Sequence, residues 1–91
     1  TQYGAEAKYL LAQQLYNAGE LVAAEKEILN FIDQSTPHAY WLARSFILLS
    51  DVYVAMDKKL DARQYLLSLQ QNYQADDDIA VMINERLEKL K

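Results

Sequence analysis

Ninety-one residues with 52% apolar side chains suit one small domain, which buries about 60–65% of the surface its unfolded chain exposes. A net charge of −4, from 13 acidic against 9 basic residues, opposes phosphate backbones, so no nucleic-acid partner is expected. Cysteine is absent, which removes disulfides and thiolate metal sites and leaves the compartment open.

The chain opens on Thr1 with no signal-like stretch, which suggests an excised piece or a processed form, with any targeting segment outside it. The most apolar stretch, Ala39 to Met56, is interrupted by Arg44, Ser45, Ser50 and Asp51. A membrane span needs about 20 nearly uninterrupted apolar residues, so this stretch reads as a buried helix and no direct membrane insertion is expected. With two Gly, one Pro and no alternating stretch with hairpin turns, the fold class is all-α.

Five helices follow from apolar period and punctuation. The first runs from about Tyr3 to Asn17 and closes at Gly19, the residue best able to take a left-handed conformation. The second, about Glu20 to Gln34, is amphipathic: Leu21, Ala24, Ile28, Phe31 and Ile32 oppose Glu25, Lys26, Glu27, Asn30 and Asp33. Thr36 is expected to cap the third helix, with Pro37 at its first position, where a missing N–H costs nothing. That helix, to about Met56, is apolar nearly all round and must be covered on several sides. A fourth spans about Leu60 to Tyr73 after a turn at Asp57–Lys59. The run Asp76-Asp77-Asp78 opens a fifth, whose single apolar stripe (Ile79, Met82/Ile83, Leu87, Leu90) and charged far side suit a terminal cap.

Shifting the chain by 38 residues lays the first helical pair on the second. Ala5 meets Ala43, Leu10 meets Leu48, Leu11 meets Leu49, Ala24 meets Ala62 and Leu29 meets Leu67, while Ala12 pairs with Ser50 and Gly19 with Asp57. The small residues within each pair would let antiparallel helices approach closely. The segment Leu10-Leu11-Ala12-x-x-Leu15-x-x-x-Gly19-x-x-x-x-Ala24-x-x-x-Ile28, repeated from Leu48-Leu49-Ser50-x-x-Tyr53 through Ala62-x-x-x-Leu66, resembles the tetratricopeptide repeat (TPR) pattern. The usual period is about 34 residues, and the four extra ones fit best around Ser35 to Ala39. Longer-period variants of this sort resemble TPR proteins of the bacterial cell envelope, which places the periplasm or cell envelope ahead of the cytoplasm.

The resemblance implies an α-solenoid of two TPR-like hairpins, residues 1–35 and 36–74, plus a C-terminal capping helix, 75–91, acting by protein–protein interaction. It places a partner protein or peptide in a concave groove lined by Glu6, Tyr9, Gln13, Tyr16, Asn17, Arg44, Ile47, Asp51, Val54 and Ala55. Tyr9 and Tyr16 either anchor that partner or pack between repeats. A groove specialised for a partner's terminal carboxylate is disfavoured, because Tyr9 and Gln13 stand where Lys and Asn would be needed. Helix one is apolar on more than one side (Ala5, Ala7, Tyr9, Leu10, Leu11, Leu15, Tyr16), so the N-terminal side reads as an open end. Either further repeats or a second copy would cover it. The alternative function is accordingly a self-assembling or structural end-piece joined through helix one.

No catalytic, cofactor or metal site is expected. His38 has no second imidazole or thiolate to complete a zinc site and no nearby Ser or Cys to activate. Asp76–Asp78 lack the Gly and final Glu of a calcium loop and complement a helix dipole instead. Glu25, Glu27 and Asp33 lie on a polar face, Gly4 and Gly19 are too far apart for a phosphate loop, and Tyr40-Trp41 reads as a packing or interface plug. The pattern holds no convergent nucleophile, base or metal set, so an enzyme is not expected.

Overall fold

The computed structural model describes residues 2–34 and 37–91. Five helices account for most of them: α1 (Gln2–Asn17), α2 (Leu21–Asp33), α3 (Ala39–Ala55), α4 (Lys59–Asn72) and α5 (Ile79–Lys89). The fold is all-α, with no strand among the described residues, and α3 runs unbroken through its seventeen residues.

The N-terminus of α3 departs from expectation. Pro37 lies outside the helix; its carbonyl accepts the Ala39 amide at 3.1 Å, and the first helical bond runs from Leu42 N to His38 O at 3.1 Å. His38 takes the non-helical conformation of a cap, with φ −88° and ψ 79°, and its side chain makes no capping hydrogen bond. Pro37 shapes the approach, and the helix starts two residues later. Thr36 falls outside the described residues.

The turns inside each hairpin share their closing bonds. Gly19 and Asp57, 38 residues apart, both take positive φ, 80° and 63°. The amide of Glu20 donates to Leu15 O at 2.9 Å, as Lys58 N does to Tyr53 O at 2.7 Å; Gly19 N reaches Tyr16 O as Asp57 N reaches Val54 O, each at 3.0 Å. These are the two bonds of a Schellman closure, which satisfies the last free carbonyls of a helix. Glycine holds that conformation without strain, whereas Asp57 holds it at a cost. Gly19→Ala should therefore lose about 1 kcal/mol through strain alone, because an added Cβ meets nothing within 4 Å. Asp57→Gly should gain roughly 0.5 kcal/mol, and urea midpoints of the two variants should move in opposite directions.

Backbone contacts define the arrangement. Helix α2 packs on α1 and α3, α4 packs on α3 and α5, and α1, α3 and α5 touch in succession, while α2 and α4 stay apart. The trace measures 36 × 32 × 18 Å, its shortest side about two helix diameters.

The small residues expected at the helix contacts lie inside the fold. Ala12, Ser50, Ala24 and Ala62 are all buried. The hydroxyls of Ser50 and Ser45 are satisfied by the Ile47 and Trp41 carbonyls at 2.6 and 2.8 Å, so neither leaves a polar group stranded. Around them lie two core clusters. The first holds Ala12, Ala24, Ile28, Leu48, Leu49, Val52 and Tyr53. The second holds Ala43, Ile47, Leu66, Leu69, Ile79 and Ile83, and Ala43, Ile47, Leu66 and Leu69 stand 38 positions beyond Ala5, Tyr9, Ile28 and Phe31, all buried.

Candidate functional site

The face shared by α1, α3 and α5 carries most of the molecule's long-range polar contacts. At its centre is Arg44. Its Nη1 donates to the Tyr40 hydroxyl at 2.9 Å and its Nη2 to the Tyr9 hydroxyl at 3.1 Å. The guanidinium lies 5.0 Å from the Tyr9 ring centre, 5.8 Å from Tyr40 and 5.9 Å from Trp41, an arrangement in which the ring quadrupoles stabilise the cation. Burial works against the charge, but the Tyr40 and Tyr9 hydroxyls outweigh it and push the pKa up. Its Nε is buried without a partner.

From this hub two hydrogen-bonded arms run outward. The Tyr9 hydroxyl donates to Gln13 Oε1 at 3.0 Å, and Gln13 Nε2 donates to Asn17 Oδ1 at 3.1 Å. On the other side the Tyr40 hydroxyl donates to the Asp78 carboxylate at 2.9 Å. The chain Asn17–Gln13–Tyr9–Arg44–Tyr40–Asp78 thus ties α1 to α3 and α3 to the entry of α5. Of the acidic run, Asp77 caps α5 by accepting the Ile79 amide at 3.0 Å, while Asp78 answers Tyr40.

One helical turn or two further along α3, Asp51 forms a forked ion pair with Arg86. Nε meets Oδ1 at 2.9 Å and Nη2 meets Oδ2 at 3.0 Å, with both side chains about a quarter exposed. This pair borders an open depression of about 770 Å³. Tyr16 of α1, Val54 and Ala55 of α3, and Met82 of α5 give it apolar walls; Lys59, Glu85 and Lys89 join Asp51 and Arg86 as its charged groups. Aromatic and aliphatic surface beside convergent charges is what a peptide-sized ligand needs for area and orientation.

The expected groove residues divide three ways. Tyr16, Asp51, Val54 and Ala55 line the depression. Tyr9, Gln13, Asn17 and Arg44 belong to the polar chain above it, with Tyr9 only 5% exposed, so Tyr9 packs and orients Arg44 instead of standing free as an anchor. Ile47 is a correction: at 1% exposure it sits in the second core cluster and offers no surface. Glu6 is half-buried on α1 and takes no part in the depression. Missed from sequence were Met82, Glu85 and Lys89, which a second 38-residue step from Arg44, Ile47 and Asp51 would have found.

Two tyrosines outside this hub are held in their neutral form. Burial and then the Glu25 carboxylate push Tyr53 up; burial and then the Asp77 carboxylate, which accepts its hydroxyl proton, push Tyr73 up to about 12. The neutral phenol is the favoured folded form, so its contribution is complete below about pH 10, the ordinary tyrosine value, and is lost as pH rises through about 12. Between those values wild type should lose more stability than Tyr73→Phe, read as the difference in urea midpoints.

Among the described residues no group of three His, Asp or Glu side chains is placed to hold a metal ion, and no helix is long and apolar enough to cross a membrane. Comparison with protein-family models, curated proteins and solved structures gives no match.

Proposed function

We propose that the chain is a protein-binding scaffold, a stack of TPR-like hairpins that holds an extended or helical segment of a partner against the α1–α3–α5 face. The observation that carries the reading is the depression beside Asp51 and Arg86, where Tyr16, Val54 and Met82 provide contact area and Lys59, Glu85 and Lys89 provide charge at the rim. Residues of the polar chain fix the three helices relative to one another, so the surface is formed before a ligand arrives, which lowers the ordering cost of binding. Resemblance of the Leu10–Ile28 segment to the TPR pattern supports the same face, because the first helix of each such repeat lines the groove. The alternative, an end-piece for assembly, draws on a different surface and is taken up below.

The test is selection of peptides from a random display library against the intact chain. Binders should lose at least about tenfold in affinity on Val54→Glu and on Lys89→Glu and be indifferent to Val22→Glu, an exposed position of α2 that does not line the depression. Circular dichroism should show all three variants folded. Binders indifferent to both groove substitutions would contradict the proposal.

A further inference from the structure

The 38-residue register assigns a role to the bare side of α1. On α3 the positions Trp41, Ser45, Leu48, Leu49 and Val52 face α2: Ser45, Leu48, Leu49 and Val52 are buried and Trp41 packs onto the same cluster. One period later these positions are Ile79, Ile83, Arg86, Leu87 and Leu90 of α5: the four apolar ones meet the core beside α4, with Ile79 and Ile83 buried, while Arg86 turns to Asp51. One period earlier, the same positions of α1 are Tyr3, Ala7, Leu10, Leu11 and Gln14. There they are open, with Tyr3 83%, Leu10 48% and Leu11 46% exposed. Twice in this molecule that face of a first helix is covered by the second helix of the hairpin before it; at α1 it is uncharged, apolar except for Gln14, and exposed.

The opposite end of the stack is built differently. Ala43, Ile47 and Ser50 bury against their own hairpin, and one period on, the corresponding α5 residues are Val81, Glu85 and Glu88, all exposed. Charge closes that end, since buried unpaired carboxylates would be costly. Two ends of opposite character distinguish a finished edge from one shaped to receive another element.

We infer that the Tyr3–Ala7–Leu10–Leu11 face of α1 is a docking surface for the second helix of a further hairpin of this same design. The occupant is an amphipathic helix with the α2 spacing: large apolar residues at the positions of Leu21, Ile28 and Phe31, and a small one at that of Ala24. It would pack on α1 as α2 packs on α3. Leu10 and Leu11 are identical to Leu48 and Leu49; Tyr3 and Ala7 replace Trp41 and Ser45 with residues of similar or smaller size. The inference rests on the repeat register and not on the groove, so either can fail alone.

The experiment exploits the absence of cysteine. Leu11→Cys is placed in the 91-residue chain and, at the same position, in a chain carrying a second copy of residues 1–38 ahead of Thr1, which keeps every link at its natural length. The thiol should react freely with a water-soluble disulfide reagent in the shorter protein, which sediments as a monomer. It should react at least about tenfold more slowly in the longer one, whose melting midpoint should rise by at least about 5 °C. Leu11→Glu should abolish that rise and leave the shorter chain folded. Equal thiol reactivity in the two proteins would overturn the inference. So would a shorter chain already protected by self-association, which would give the face to a second copy.

Discussion

Leu49→Ala is expected to destabilise the protein by about 3 kcal/mol, whereas Leu11→Ala, the same residue one period earlier, should change stability by less than about 0.5 kcal/mol. Leu49 is fully buried among Ala24, Ile28, Val52 and Tyr53, so truncation removes transfer energy and leaves a cavity that helices on both sides hold open. Leu11 lies on the uncovered side of α1, and truncating it replaces a half-exposed side chain with the best helix former. In a domain of this size 1 kcal/mol moves the melting midpoint by roughly 4–8 °C, so the two midpoints should differ by well over ten degrees. Thermal melts by circular dichroism read the contrast directly, and equal losses would mean that the two helices do not occupy different environments.

The second large effect runs the other way in volume. Ala24 and Ala62 are fully buried where α2 and α4 approach their neighbours, and helix separation there is set by the methyl group. Adding three carbons forces side chains off their rotamers or the helices apart. Ala24→Leu and Ala62→Leu should each cost about 2–3 kcal/mol, while Ala80→Leu, on the exposed side of α5, should be neutral within about 0.5 kcal/mol. Urea unfolding should show the two costs to be alike, because the two alanines occupy one position of the repeat.

Much of this was legible in the chain itself. Apolar period placed the helices, and Gly19 marked a left-handed closure. Asp57, aligned with Gly19 by the 38-residue step, read only as a turn residue, and its left-handed conformation came from the structure. The small residues also declared themselves, since Ala and Ser in the middle of large apolar runs have a packing reason. Less was legible in the candidate site. Tyr9 and Ile47, both read as groove residues, occupy equivalent positions where a first helix turns toward its own hairpin, and a stripe defined by i, i+3, i+7 spacing does not separate that direction from the open face. The Tyr9–Arg44–Tyr40–Asp78 chain joins residues up to 69 positions apart, and no local pattern announces such a contact. Helix α5, read as a lid, also supplies Met82, Glu85, Arg86 and Lys89 to the depression. A second application of the 38-residue step from Arg44, Ile47 and Asp51 reaches Met82, Glu85 and Lys89, but Arg86 aligns with core residue Leu48 and is not found that way. Pro37 misled for a local reason: the motif favours a helix start there, but His38 takes the capping conformation and Pro37 serves the turn before it.

The proposed stack of hairpins requires that whatever places α3 on α2 also places α5 on α4. Amide residual dipolar couplings of the 91-residue chain measure helix orientations in solution without reference to side chains. They should give one interhelical rotation for the α2–α3 and α4–α5 pairs and another shared by α1–α2 and α3–α4. Unequal rotations within either set, such as α5 lying across α4 at a different angle, would contradict it.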